Sequence, residues 1–275
     1  MPAFEAVGGM PYWIDLTTSE PAKSAHFYSQ LLGWEITEEV EGSDYRIARV
    51  QGLPVAGFIR QPEQASFPDT WITYFLADNL DQQLDKIRDL GGRVLAEPAE
   101  VQLGRMAVLV DTAGAMFGLI EPRGEDAFIA AGEPGTPVWH ENTVVTRYDE
   151  TVEFYRELFG WMVSTMDGGP NFRYTTALQD GAAFAGIFGA EGQFPPQVPS
   201  FWQSYLGVPG VDAAVAKAPE LGGEVIREPW DSEFGRMALI SDSTGATVML
   251  CEIDEPVEEG DEADPLHNID LSQFR

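Results

Sequence analysis

Residues 104–115, GRMAVLVDTAGA, return as GRMALISDSTGA over residues 235–246, 131 positions further on (235 − 104). Each copy reads as a glycine-hinged entry, an apolar strand, a short Asp/Gly turn and a second apolar strand ending in Glu121 or Glu252. A match of this length at one spacing means internal duplication, which restricts the chain to two similar halves. Other landmarks repeat in the same order. Gly33-Trp34 returns as Gly160-Trp161, residues 55–59 as 184–188, Trp71 as Trp202, and Leu90-Gly91-Gly92 as Leu221-Gly222-Gly223. The offset grows from 126 (139 − 13) to 131 (202 − 71). The added residues fall between elements, where turns tolerate insertion.

Within the first half, residues 11–16 form a short aromatic and branched run that predicts a strand. Thr17 to Pro21 supply cap and first-turn chemistry for a helix carrying Ala25, Tyr28, Leu31 and Leu32 on one face. Gly33 predicts a left-handed stop. Strands over 34–37, 45–50 and 55–60 complete a βαβββ unit. A second unit follows: a strand over 71–76, a helix over 80–90, and strands over 93–96, 106–110 and 116–120. The second half copies the order, with a helix from about residue 150 to 159. The expected organisation is a first domain over 1–122, a Gly/Pro/acid-rich linker over 123–135, a second domain over 136–253 and an acidic tail over 254–275.

Composition then narrows the function. With 44% apolar and 11% aromatic residues the chain has material for real cores. A net charge of −29 argues against nucleic acid and anionic membrane surfaces as partners. No apolar run is long enough to cross a bilayer. Residues 1–6 have neither the basic start nor the apolar core of a signal peptide, and the single cysteine, Cys251, excludes an internal disulfide; the expectation is a cytoplasmic protein, monomeric or homodimeric.

Four βαβββ units in two pairs, with Phe27-Tyr28 before Leu31-Leu32-Gly33-Trp34 and Phe154-Tyr155 before Leu158-Phe159-Gly160-Trp161, resemble the vicinal oxygen chelate superfamily. That superfamily includes glyoxalase I, extradiol dioxygenases and bleomycin resistance proteins. Asp111-Thr112-Ala113-Gly114 and Asp242-Ser243-Thr244-Gly245 look like its Asp-Pro-x-Gly turn with the proline replaced. The Trp-x-Asp/Glu openings and the two Gly-Arg-Met segments are similar to the tandem actinobacterial glyoxalase-like subgroup. The resemblance implies an α+β fold in which paired units curl into two half-open mixed β-barrels with helices packed outside. It also implies a divalent metal on the barrel floor, held by a His on the first strand, a His or Gln opening the second unit and a Glu on the last strand.

Counting from the shared motifs tests those ligands. In the first half the three positions fall at Trp13, at Trp71 (or Ile72 with a one-residue slip) and at Gly118. In the second they fall at Trp139, at Trp202 (or Gln203 with the slip) and at Met249. An alternative count puts His140 at the first position, giving a weaker reading with one divalent metal in the second half. The preferred reading has no metal and no other cofactor. Trp13 and Trp71 would then line one concave sheet and Trp139 and Trp202 the other, making aromatic pockets for a small apolar or aromatic molecule, against a plain core-packing role for each. Arg105 and Arg236 either reach over the pocket mouths to bind an anionic group or pair with Glu97, Glu228 or another carboxylate. Asp15 and Glu141 are carboxylates at matching places, while Glu121 and Glu252 have the parity of strand-end caps or arginine partners. Cys251 reads as a buried thiol, and His26 and His267 as solvated. The alternatives to a binding protein are a metal-dependent lyase or dioxygenase using His140 and Glu141, a metal-independent enzyme, and a scaffold with filled barrels.

Overall fold

The helices tie the two halves together through shared cores. The computed structural model describes residues 3–38, 45–62, 67–101, 103–123, 128–169, 172–195, 197–232 and 234–254. A short β1 (Ala3–Glu5) precedes the first unit, which is β2 (Pro11–Thr18), α1 (Pro21–Leu32), β3 (Glu35–Glu38), β4 (Arg46–Val50) and β5 (Leu53–Arg60). The second unit is β6 (Thr70–Leu76), α2 (Leu80–Asp89), β7 (Arg93–Val101), β8 (Gly104–Val110) and β9 (Met116–Pro122). In the linker, β10 (Phe128–Ala130) pairs antiparallel with β1. The third unit runs β11 (Pro137–Val144), α3 (Tyr148–Phe159), β12 (Met162–Asp167), β13 (Arg173–Gln179) and β14 (Ala182–Gly189). The fourth runs β15 (Phe201–Val208), α4 (Val211–Lys217), β16 (Glu224–Ser232), β17 (Gly235–Ser241) and β18 (Thr247–Glu252). The tail beyond residue 254 and His267 lie outside the described residues.

Each half is one eight-stranded mixed sheet, ordered β3-β4-β5-β2-β6-β9-β8-β7 and β12-β13-β14-β11-β15-β18-β17-β16. The units of a half join through their first strands, which pair antiparallel. Helices form where expected: Pro21 occupies the first turn of α1, and Gly33 and Gly160 end α1 and α3 at φ +71° and +72°. The strand expected over 93–96 runs on to Val101, because β7 is an edge strand whose register shifts around Pro98, and an edge bulge tolerates proline.

The helices do lie outside each concave sheet, and one face of each is buried in a core shared by the two halves. One core joins Phe27, Tyr28, Trp34 and Phe58 of the first unit to Val211, Val215, Ile240 and Leu250 of the fourth. A second joins Phe75, Leu84 and Phe117 of the second unit to Phe154, Tyr155 and Trp202 across the half boundary. The repeated motifs make this cross-packing possible. Trp34 Nε1 donates to the Gly135 carbonyl at the entry to the second half (2.6 Å), and Trp161 Nε1 donates to Gly9 at the entry to the first (2.8 Å). A Cβ on Gly223 would lie 2.7 Å from the Phe27 ring, so only glycine lets α1 approach there. Asp111, in the turn that announced the duplication, accepts amide hydrogens from Ala113 and Ala115 on Oδ1 (both 2.9 Å). Its Oδ2 accepts from Tyr155 (3.0 Å) and Asn142 (3.1 Å) of the other half. No helix among the described residues is long and apolar enough to cross a membrane.

Candidate functional site

Strand alternation decides which side chains reach each concave face. On β2, Ile14 and Leu16 enter the helix-side core, leaving Trp13 and Asp15 on the other face. On β6, Trp71 enters the helix-side core and Ile72 and Tyr74 face the concavity. Trp71 and Trp202 therefore do not line the pockets. Each is buried among helix-layer rings and donates its indole N–H to a tyrosine hydroxyl, Trp71 to Tyr28 at 2.9 Å and Trp202 to Tyr155 at 2.7 Å. The one-residue slip places Ile72 and Gln203 on the floors instead, opposite Asp15 and Glu141 in the antiparallel ladders.

On the first floor, Trp13 Nε1 (2.7 Å) and the Tyr45 hydroxyl (2.9 Å) both donate to Asp15 Oδ1. A Cβ on Gly57 would fall 1.9 Å from that oxygen, and one on Gly118 would fall 2.1 Å from the Tyr74 ring. The glycines make room for the cluster. On the second floor, Tyr174 donates to Glu141 Oε2 (2.8 Å) and Tyr205 to Glu141 Oε1 (3.1 Å), while Trp139 Nε1 donates to the Tyr174 hydroxyl (3.0 Å). Burial pushes both carboxyl groups up against the pull of those donors, Asp15 to about 6 and Glu141 above the usual carboxylate range.

The two floors differ in access. Trp13 and Asp15 are 4% and 2% exposed and sealed by Ile47, Ile72, Tyr74 and Met106. Trp139, Glu141 and Gln203 are only half-buried. The mouth above them carries Met166 beside Tyr174 on the neighbouring strand, Phe172 stacked on Tyr174, and Phe234, whose carbonyl meets Cys251; Met166 is 64% and Phe234 73% exposed. The sequence singled out a pocket in each half; the first floor is packed shut and the second is only partly covered.

The donor set does not suit the metal that the fold family implies. The floor carries Trp13 and Asp15, Ile72 and Gly118 in one half and Trp139 and Glu141, Gln203 and Met249 in the other, so the counted first positions hold indoles. Among the described residues no three His, Cys, Asp or Glu side chains converge as a cation needs. His140 is not brought to Glu141. It points to the half boundary, where Nδ1 lies 3.1 Å from Ser204 Oγ and 3.5 Å from Thr73 Oγ1, and burial pushes its imidazole down to about 3.

Arg105 and Arg236 also stand away from the concavities. Arg105 chelates Asp81 at the start of α2 (2.9 and 3.2 Å) and meets Glu121 (3.1 Å). Arg236 grips Asp212 of α4 (both 2.8 Å) and Asp231 (2.9 Å). They lock strand to helix, with partners other than Glu97, which meets Arg88 instead. Glu252 caps α4 through the Val211 amide (2.9 Å), Cys251 is buried on the second floor, and His26 is exposed. The sequence reading missed Tyr45, Tyr74, Tyr174 and Tyr205. The signal was there: Tyr45 returns as Tyr174 at the 129-residue offset of Gly57 and Gly186 (174 − 45), and Tyr74 as Tyr205 at 131 (205 − 74).

Comparison with known proteins agrees with this architecture. Residues 13–120 match the model of the glyoxalase-like domain, and residues 140–250 that of the glyoxalase/bleomycin resistance protein/dioxygenase superfamily. CFP32 of Mycobacterium tuberculosis, which carries a provisional glyoxylase name, is 33% identical over 86% of this chain and 92% of its own length. The anthracycline biosynthesis protein DnrV of Streptomyces peucetius is 30% identical over 90% of this chain and 94% of its own. Among solved structures, a Mn(II)-bound glyoxalase from Novosphingobium aromaticivorans superposes with a TM-score of 0.60 at 16% identity, covering 89% of this chain and 82% of that one. The catechol dioxygenase BphC gives 0.59 at 16% identity, covering 90% and 87%. The chain belongs to the glyoxalase/bleomycin resistance protein/dioxygenase superfamily and carries two of its domains in tandem.

Proposed function

We propose that this protein binds a small aromatic molecule, without a metal, on the open concave face of its second half. The observation that carries the reading is the Glu141 carboxyl group, held by the Tyr174 and Tyr205 hydroxyls on the floor where the superfamily usually places a metal. Around it stand the broad surfaces of Trp139, Tyr174 and Phe188, with the thioethers of Met237 and Met249 beneath. Such walls suit a flat apolar ligand, and Glu141 with Gln203 supplies the few polar groups that fix orientation. The relative DnrV is named for anthracycline biosynthesis, and anthracyclines are polycyclic aromatic molecules, which supports the ligand class. A metal-dependent reading needs His140 and Glu141 to converge, and strand alternation puts them on opposite faces. The charge of −29 supports a role without nucleic acid or membrane, and the lone reduced Cys251 supports a cytoplasmic location.

The test is organic extraction of the purified protein beside its Met249→Trp variant, in which an indole fills the floor. The wild type is expected to release an aromatic molecule that the folded variant lacks. The same extract from both contradicts the reading.

A further inference from the structure

A cavity lies at the junction of the halves, beside the edges of both concave faces. Strand β2 pairs with β5 only from Asp15 onward, and β11 with β14 only from Glu141 onward. Upstream of those points the parallel strands diverge, so each sheet opens a wedge. The two wedges face one another across the linker residues Ala130 to Gly132 and border a half-open cavity of about 280 Å³.

Its lining follows the internal repeat: Trp13 and Val55 of the first half correspond to Trp139 and Phe184 of the second. The symmetry breaks at one pair. Where the first half has Ile14, fully buried in the helix-side core, the second has His140. The Nδ1 of His140 is held by Ser204 and Thr73, and its Nε2 has no hydrogen-bond partner among the described residues. Burial keeps the ring neutral. A largely apolar wall, which also includes Tyr12, thus carries a neutral imidazole with a spare hydrogen-bonding nitrogen.

We infer that this cavity is a second ligand site, for a small uncharged aromatic molecule whose hydroxyl or carbonyl group hydrogen-bonds to His140 Nε2. Among the described residues no Asp, Glu, Lys or Arg side chain lines the cavity, so a charged ligand would lose hydration with no partner there. The volume lies at the small end of ligand pockets, which start near about 300 Å³, and so suits about one or two fused rings. Trp139 borders this cavity and also the Glu141 floor, so its fluorescence reports occupancy at either place.

The test is a titration with 2-naphthol, followed by calorimetry and by tryptophan fluorescence, with naphthalene-2-sulfonate as the charged control. One saturable site is expected that survives Met249→Trp, which blocks only the concave floor. It is expected to disappear in Ala183→Trp and in Ala131→Trp, two wall positions with room at the surface, each checked for an intact fold by its melting curve. His140→Phe is expected to weaken 2-naphthol about tenfold, the worth of roughly one hydrogen bond. The sulfonate is expected not to compete. Loss of binding in Met249→Trp alone, undiminished binding in both filled variants, competition by the sulfonate, or no saturable site in the wild type overturns the inference.

Discussion

Tyr174 donates its hydroxyl hydrogen to Glu141 Oε2 at 2.8 Å, and Tyr45 makes the matching bond to Asp15 Oδ1 at 2.9 Å in the other half. The duplicated chain has kept a tyrosine-bonded carboxyl group in each half, and the second is the less covered of the two. The closed copy isolates the cost of burying the acid, and the less covered copy is the one proposed to meet a ligand.

The closed copy gives a pH signature. Burial raises Asp15 from 3.8 to about 6, so the folded state binds its proton more tightly than the unfolded chain does. Stability contributed by this proton is fully present below about pH 4 and is lost as pH rises to about 6. Asp15→Asn keeps the oxygen that accepts from Trp13 and Tyr45 and removes the ionisation. Urea titrations are expected to show the variant more stable above pH 6, by up to about 3 kcal/mol at about 1.4 kcal/mol per pKa unit, with the gap closing toward pH 4. An equal difference at both pH values contradicts the assignment.

The Asp111 bond to Tyr155 joins the halves, so breaking it is expected to destabilise the whole molecule and not one domain. Asp111→Ala removes the acceptor for two turn amides, Asn142 and Tyr155, and is expected to cost about 2–4 kcal/mol. Thermal unfolding by calorimetry should remain one transition, because each core draws on both halves. Two separate transitions contradict the shared-core description.

The same cores predict the fate of a half-chain. Residues 1–122 alone leave the faces of α1 and α2 uncovered, including Phe27, Tyr28 and Leu84. That fragment is expected to aggregate or to bind a hydrophobic dye with weak near-ultraviolet dichroism. A soluble, sharply melting fragment contradicts the cross-packing.

Arginine substitutions separate locking from ligand binding. Arg105→Ala and Arg236→Ala remove helix–strand ion pairs and are expected to leave the extracted ligand unchanged. Loss of the ligand from folded Arg236→Ala returns that residue to the site.

The duplication, the unit order and the helix stops were legible because glycine, proline and tryptophan punctuate the repeat at nearly constant spacing. Gly33, Gly57 and Gly114 each mark a place that the structure uses for a cap, a close approach or a turn. Strand phase was less legible. A tryptophan looks alike on either face of a β-strand, and a one-residue slip at Trp71 and Trp202 moved two of the four indoles from the pocket to the helix layer. The open and closed copies could not be told apart from sequence at all, since openness depends on how rim residues such as Met166 and Phe234 stand above the floor. Glu141 was named as a carboxylate at a matching place, but its tyrosine partners lie 33 and 64 residues away and are joined to it only by the sheet.

The central claim is that a carboxyl group held by tyrosines replaces the metal on the open floor. A native mass spectrum of the purified full chain, after supply with Mn, Fe, Ni and Zn and gentle exchange into volatile buffer, tests it most directly. The expected result is a chain carrying an organic adduct and no stoichiometric metal, with Glu141→Gln weakening the adduct. One metal ion per chain, lost in Glu141→Gln, contradicts the account.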